Sequence, residues 1–350
     1  EVYVAETAEK ALAQAKAVHG DKIKMEDLHQ DEDVLDTWFS SWLWPISVFD
    51  GFNSKEEIDY YYPTAVVVTG WDIIFLWIAR MIMAGYEWRG ERPFREVYFT
   101  GMVRDKQRRK MSKSLGNSPD ALALIDTFGA DGVRFGMLSC SPAGGDLLFD
   151  EKLCEQGRNF SNKLWNALRL IDGWEEDNSV EETEVQTFAI TWMQSLKYRI
   201  LSQLESDFDQ YRLSDALMNL YSFAWTDFCS WFLESVKPLD GRVNSKTKEA
   251  VVGIYEDICN MLHPFMPFIT EEIWHNLKTR TSGEELIIAS YPEIKPFDEG
   301  LLDLLETLKS VTSSVRDIRN KNQVKQREAL NLYVLRDSET ESIIGNSGFV

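Results

Sequence analysis

No stretch of this 350-residue chain contains the roughly eighteen consecutive apolar residues that mark a membrane-spanning helix. The opening residues, EVYVAETAEK, lack the basic-then-apolar layout of a secretion signal, so a cytoplasmic setting is expected. Cysteine is scarce: the four at 140, 154, 229 and 259 form no Cys-x-x-Cys pair. They are expected to be small buried apolar side chains in a reducing compartment. The four histidines, at 19, 29, 263 and 275, are scattered without a His-Glu-x-x-His pair, and no metal site or structural zinc is expected. Positive charge is also short: 37 Lys and Arg stand against 57 Asp and Glu, a net charge of −20. Such a field repels phosphates and excludes broad non-specific nucleic-acid binding, yet it leaves room for a local basic site. Disorder is excluded by twelve tryptophans and an apolar content of 44%. The chain starts without methionine and stops inside SIIGNSGFV, so a piece of something longer is expected.

What positive charge there is clusters. Arg104, Lys106, Arg108, Arg109, Lys110 and Lys113 fall within ten residues and are opposed only by Asp105. The reverse holds at 175–184, EEDNSVEETE, where six of ten residues are acidic; this run reads as a solvated linker.

A short strand, then an alanine-rich helix over 8–18 ending at Gly20, is expected at the start. The β-branched run in YYPTAVVVTG reads as a strand buried on both faces. Ile73, Ile74, Trp77, Ile78, Met81 and Ile82 then repeat at helical spacing up to Gly85. EVYFTGMV reads as a second strand, and after the basic loop Ser118-Pro119 reads as a cap and first helical residue. Strand, helix, strand, loop, helix predicts an α/β domain of parallel strands with crossover helices. Past Asp150 the pattern becomes helical: 151–172, 188–206, 214–236 with Ser214 as cap, 246–262, a helix capped by Thr270, and 301–318. That describes a helical bundle, followed by a strand-like NLYVL. HPFMPF reads as a structural turn and His263 as a packing residue.

Ligands of open α/β sheets bind at the carboxyl ends of the strands. Those ends fall at Gly70-Trp71-Asp72 and at Gly101 with the basic loop, which are expected to face a shared crevice. Lysines, serine hydroxyls and Gly116 in RRKMSKSLGN suit a polyanion, because ammonium groups act as movable point charges. Neither G-x-x-x-x-G-K-[ST] nor G-x-G-x-x-G occurs, so composition alone leaves phosphate binding and a merely solvated basic loop both open.

The string KMSKS at 110–114 resembles the signature of class I aminoacyl-tRNA synthetases. Its flanks, DVLDTWFSS, VTGWDIIFLWIARMIM, GMVRDKQRRKMSKSLGN, GADGVRF and NKLWNA, narrow the resemblance to the valyl-tRNA synthetase family. DFCSWFLESVKP and LHPFMPFITEEIW resemble that family's helical anticodon-binding domain. The resemblance implies a partial Rossmann-like nucleotide-binding fold followed by an all-α bundle. Its expected divisions are 1–30, returning from an editing insertion that is missing here; 31–150, the second half of the catalytic domain; 151–290, the anticodon-binding bundle; and 291–350, a further helix and strand. The family's His-Ile-Gly-His motif is not present in these residues. A chain catalytically incomplete on its own, without proofreading, is therefore expected.

The reaction implied joins valine to ATP with Mg²⁺, giving valyl-adenylate and pyrophosphate, and passes the valyl group to tRNA-Val. By the motif match Lys113 would contact the phosphates, supported by Lys110, Ser112 and Ser114, with Met111 completing the motif. Trp38, Ile73 and Trp77 match positions lining the amino-acid pocket, while Asp72 either faces the substrate's ammonium or caps its helix. Arg158, Lys163 and Arg169 are candidates for RNA phosphates, and Asn159 and Asn162 for base edges, unless all five are ordinary exposed helix polars. A monomer is expected. Two alternatives remain: a tRNA-binding module without catalysis, and an isoleucyl-tRNA synthetase relative. DTWFSSWLWP argues against the latter, since isoleucyl relatives more often resemble DVWFDSG.

Overall fold

Helix α1 (Ala8–His19) opens the structure, a computed structural model describing residues 1–141, 144–325, 328, 329, 331 and 333; the side chain of Lys113 lies outside the description. The Thr7 hydroxyl accepts from the Lys10 N–H, and Gly20 ends the helix at φ +85°. The strand expected before it does not form. Val2 and Val4 are 89% and 83% exposed and gain nothing from extended backbone. Two compact units divide the chain, Glu1–Val97 and Tyr98–Val350.

In the first unit, β1 (Thr64–Gly70) pairs with β2 (Phe94–Thr100), and the Thr64 N–H donates to the Pro93 carbonyl at 3.0 Å. Burial on both faces is not observed: of β1's side chains only Thr69 is buried, and Val68 is 59% exposed. Among the described residues its sheet has two strands, so one long edge of β1 carries no ladder there. Beyond Gly70 the chain winds tightly over Trp71–Ile73, widens into a π turn over Ile74–Ile78, and settles into α2 (Ala79–Arg89). Gly85 does not stop this helix. A Cβ there would lie 2.7 Å from the Tyr62 hydroxyl and 2.9 Å from the Glu91 carbonyl oxygen, so the glycine serves packing. Gly90, at φ +76°, is the actual stop. Ile78, Met81 and Phe94 form a small core flanked by Trp42, Val67 and Trp77.

The second unit contains a parallel pair whose later strand is not among those expected. EVYFTGMV breaks at Gly101, and β3 (Val103–Arg104) lies beside β4 (Leu147–Leu148), with Val103 opposite Leu147. The crossover holds the basic loop, α3 (Ala121–Phe128) and α4 (Ala130–Ser139). Ser118 is not the cap of α3: the Asp120 carboxylate accepts the Leu122 N–H at 2.9 Å. Helix α5 (Glu151–Asp172) follows, capped by Asp150.

Helices α4 and α5 meet backbone to backbone. A Cβ on Gly136 would lie 2.7 Å from the Cys154 nitrogen, and one on Gly157 would lie 2.7 Å from the Gly132 oxygen. The bundle continues with α6 (Glu184–Asp209), α7 (Leu213–Ser222) running into a π-wound stretch Phe223–Phe232, α8 (Ser245–Leu262), α9 (Pro267–Leu277) and α10 (Glu299–Lys321). Trp192, Tyr255, Phe160, Phe223, Phe228 and Phe232 fill its centre, and the Tyr255 hydroxyl donates to the Leu164 carbonyl at 2.6 Å.

Several local expectations fail here, at Ser214 for a tertiary partner and at Thr270 for a carbonyl four residues back. Ser214 caps nothing; its hydroxyl donates to the Ser139 carbonyl at 3.2 Å. Thr270 lies inside α9, fully buried, its hydroxyl donating to the Met266 carbonyl, while His263 Nδ1 lies 2.8 Å from the same hydroxyl. The acidic linker is partly structured: Glu175–Glu176 (β5) runs parallel to Arg242–Val243 (β6), and Asp177 pairs with Arg242 at 3.0 Å. Cys154, Cys229 and Cys259 are buried, whereas Cys140 is only half-buried. NLYVL lies outside the described residues apart from Asn331 and Tyr333.

Replacing Gly136 with Ala should force α4 off α5 and cost about 1–3 kcal/mol. Gly253→Ala, in α8 with no atom within 4 Å of the new methyl, should instead stabilise by a few tenths to about 1 kcal/mol. Melting temperatures of the two variants, moving in opposite directions, are the check.

Candidate functional site

The basic loop is organised by one carboxylate. Asp105, 7% exposed, accepts the Gln107 and Arg109 N–H groups at 3.0 and 2.9 Å through one oxygen. Its other oxygen accepts Arg109 Nε at 2.8 Å and Asn117 Nδ2 at 3.0 Å. These donors, Asn117 first and then Arg109, outweigh desolvation and hold the Asp105 carboxyl down at about 2.

Asn117 closes the far end. Its Nδ2 also donates to the Lys110 carbonyl at 3.3 Å, and its Oδ1 accepts the Ser112 N–H at 2.9 Å. A backbone bridge joins Arg104 to Lys110, and the Met111 N–H donates to the Val103 carbonyl, so the loop returns along β3. Arg108 and Gly116 take left-handed backbone, at φ +63° in each case. The Ser112 and Ser114 hydroxyls lie 3.1 Å apart, and Ser112 Oγ accepts the Leu115 N–H.

Three of the loop's cations are spoken for. Arg104 pairs closely with Asp146, Arg109 with Asp105, and Lys106 Nζ lies 3.2 Å from Asp150. Asp150 also accepts the Lys152 N–H, and these two contacts hold its carboxyl below the usual range. A cleft of about 570 Å³ opens beside the loop, lined in part by Lys106, Arg109, Asn117, Ser118 and Lys152. Lys110, Ser112 and Ser114 are not in its lining. A polar base fixed by Asp105 and Asn117, beside a cleft lined by Lys106, Arg109 and Lys152, can hold an anionic group.

The other expected residues separate into two sets. In the first unit, Asp36 accepts the Trp38 N–H at 2.7 Å, and Ser41 Oγ donates to the Trp38 carbonyl. The Ser41 carbonyl in turn accepts Trp77 Nε1 at 3.4 Å, and Trp77 lies 6.3 Å from Trp44 between ring centres. Trp77 is thereby joined to the turn carrying Trp38, while Ile73, half-buried, lies in the tight turn just ahead. Asp72 folds back over Gly70, its Oδ1 2.7 Å from where a Cβ would stand. On α5, Arg158 lies over Phe128, donates to the Thr127 carbonyl at 3.4 Å and meets Glu155; Lys163 lies over Trp225. Asn159, Asn162 and Arg169 are exposed. Among the described residues, no cluster of three His, Cys, Asp or Glu side chains could hold a metal ion.

Residues 1–150 match the family of class I tRNA synthetases for I, L, M and V, and residues 191–334 match the anticodon-binding domain of tRNA ligases. The chain belongs to the class I tRNA synthetases. Its relatives include valine–tRNA ligases: that of Parabacteroides distasonis is 53% identical over 95% of this chain, and that of Christiangramia forsetii 52% over 96%. The chain spans 38% and 39% of those two proteins. By fold it is similar to an Agrobacterium radiobacter LeuRS solved with tRNA and LeuAMS (TM-score 0.59, 21% identity, 78% of this chain and 34% of that one). It is likewise similar to a Mycobacterium tuberculosis methionyl-tRNA synthetase solved with methionyl-adenylate (TM-score 0.53, 20% identity, 67% of this chain and 48% of that one). No helix among the described residues is long and apolar enough to cross a membrane.

Asp105 and Asn117 lie inside the quoted synthetase motif, yet sequence reasoning singled out neither. The available signal was an Asx residue on each side of a basic, glycine-containing loop. Asn117→Ala should speed amide exchange at Ser112 while leaving the melting temperature unchanged. Because the Asp105 pKa is lowered, the order it supplies is complete above its unfolded value near 4 and is lost as pH falls toward 2. NMR of the Gln107 and Arg109 amides should therefore change between about pH 4 and 2, and not above.

Proposed function

We propose that this chain is part of a valine–tRNA ligase and supplies the ATP loop, a wall of the valine pocket and the anticodon-binding bundle. The observation that carries the reading is RRKMSKSLGN, held at the end of β3 by Asp105 and Asn117, in a chain about half identical to valine–tRNA ligases. The parent enzyme would activate valine with Mg²⁺-bound ATP and pass it to tRNA-Val. Charge develops on the α-phosphate and on the departing pyrophosphate, and the Lys113 and Lys110 ammonium groups are the loop's means of neutralising it. Ser112 and Ser114 add neutral donors. The rigid Asp105–Asn117 base lets the rim lysines move without refolding the strand end.

Trp77, fixed by the Ser41 carbonyl, together with Trp38 and Ile73, would form the apolar wall that selects valine. Asp72 would face the substrate ammonium. Asn159, Asn162 and Arg169 offer donors to the anticodon loop, with Arg158 and Lys163 beside them. The working divisions are a return segment 1–30, a catalytic half 31–150, an anticodon-binding bundle 151–290 and a further segment 291–350, acting as a cytoplasmic monomer. Without a His-Ile-Gly-His partner motif, the 350 residues alone are expected to show no ATP–pyrophosphate exchange; robust valine-dependent exchange would refute that.

Transcripts of tRNA-Val, tRNA-Ile and an anticodon-swapped tRNA-Val should bind this chain in a clear order. The expected result is tightest binding to tRNA-Val, with the preference abolished by the swap. Equal, weak binding of all three that collapses with salt would reject anticodon reading by the bundle.

A further inference from the structure

Phe268 departs from the pattern of its unit. Among the described residues of Tyr98–Val350 every other phenylalanine is buried or half-buried, whereas Phe268 is 64% exposed. Its main chain is nevertheless pinned. The Phe268 and Ile269 N–H groups donate to the two oxygens of Asp131, at 3.3 and 2.6 Å. On the other side of the turn, Arg134 donates through Nε to the Phe265 carbonyl at 3.0 Å and through Nη2 to the Pro264 carbonyl at 2.9 Å. Two side chains one turn apart on α4 therefore fix the start of α9 with four hydrogen bonds.

Asp131 is buried, so its charge is spent on this contact, but Arg134 is exposed and its guanidinium still reaches solvent. A solvent-facing aromatic ring with a fixed backbone, three residues from a carbonyl that the exposed Arg134 holds, has the chemistry of a base-stacking platform. The fixed backbone lowers the ordering cost that a floppy ring would pay on binding.

We propose that Phe268 stacks an unpaired base of the RNA and that Arg134 meets a neighbouring phosphate, with Asp131 as the positioning residue. The proposal rests on the reading that this chain binds tRNA. Binding of labelled tRNA-Val transcript to the 350-residue chain, measured at two salt concentrations, tests it. Phe268→Ala should weaken binding about tenfold with an unchanged salt slope, and Phe268→Trp should restore it. Arg134→Gln should lower the slope by about one. Because the ring is exposed, Phe268→Ala should melt like the parent chain. Arg169→Ala supplies the control on α5. If that variant loses affinity while Phe268→Ala binds like the parent, the platform is overturned and RNA binding by the bundle stands. A loss in Phe268→Ala that Phe268→Trp fails to restore also overturns stacking. If the parent chain binds no tRNA, both readings fall.

Discussion

Helices α4 and α5 touch at main-chain distance, and the arrangement of the larger unit depends on that contact. Gly136 and Gly157 leave no room for a methyl group between the helices, and Gly132 leaves little. With side chains at the crossing, interaxial spacing would relax toward the usual 8–10 Å. The start of α5 would then move away from the loop that Asp150 ties through Lys106. Asp131 and Arg134, on the same helix α4, would lose their reach to the turn 264–269. A contact made of absent side chains thus sets both the base of the basic loop and the start of α9.

The acidic balance of the chain takes on a definite role around that loop. Asp105, Asp146 and Asp150 each hold a cation from 104–109. The Lys106–Asp150 pair is exposed enough to contribute little stability, and what it shares with the buried Asp105 contact is geometric. The pairs fix the strand end and its first turn. Asn117 completes the arrangement as a neutral side chain that both donates and accepts, bonding Asp105, the Lys110 carbonyl and the Ser112 N–H together. A lysine there could not accept, and a serine has one proton where Asn117 donates two bonds.

Much of this was legible beforehand, for a physical reason. Helices α5 and α8 bury apolar side chains at helical spacing over many turns, and such periodicity survives any tertiary context. An α/β region with parallel strands was likewise visible from element order, though the parallel partner of Val103, Leu147, lies in a two-residue strand that the sequence did not announce. Boundaries were less legible. Asp120 took the cap expected of Ser118, Gly90 the stop expected of Gly85, and Ser214 and Thr270 turned to other partners. In the first two cases two residues of suitable chemistry lay within a few positions, while the helices at Ser214 and Thr270 begin without a side-chain cap.

The sequence by itself determined the helical bundle, the α/β order before it and the motif strings that place the chain among the class I tRNA synthetases. Those properties follow from local spacing and residue type, which are written along the chain. Only the tertiary structure decided that Asp131 and Arg134, in GADGVRF, clamp HPFMPF more than 125 residues away, or that Asp105 and Asn117 close the loop between them. A hydrogen bond needs its donor and acceptor within about 3 Å, and sequence spacing carries no such distance. The glycine crossing of α4 and α5 supplies it for the clamp, and the return of the loop along β3 supplies it for Asp105 and Asn117.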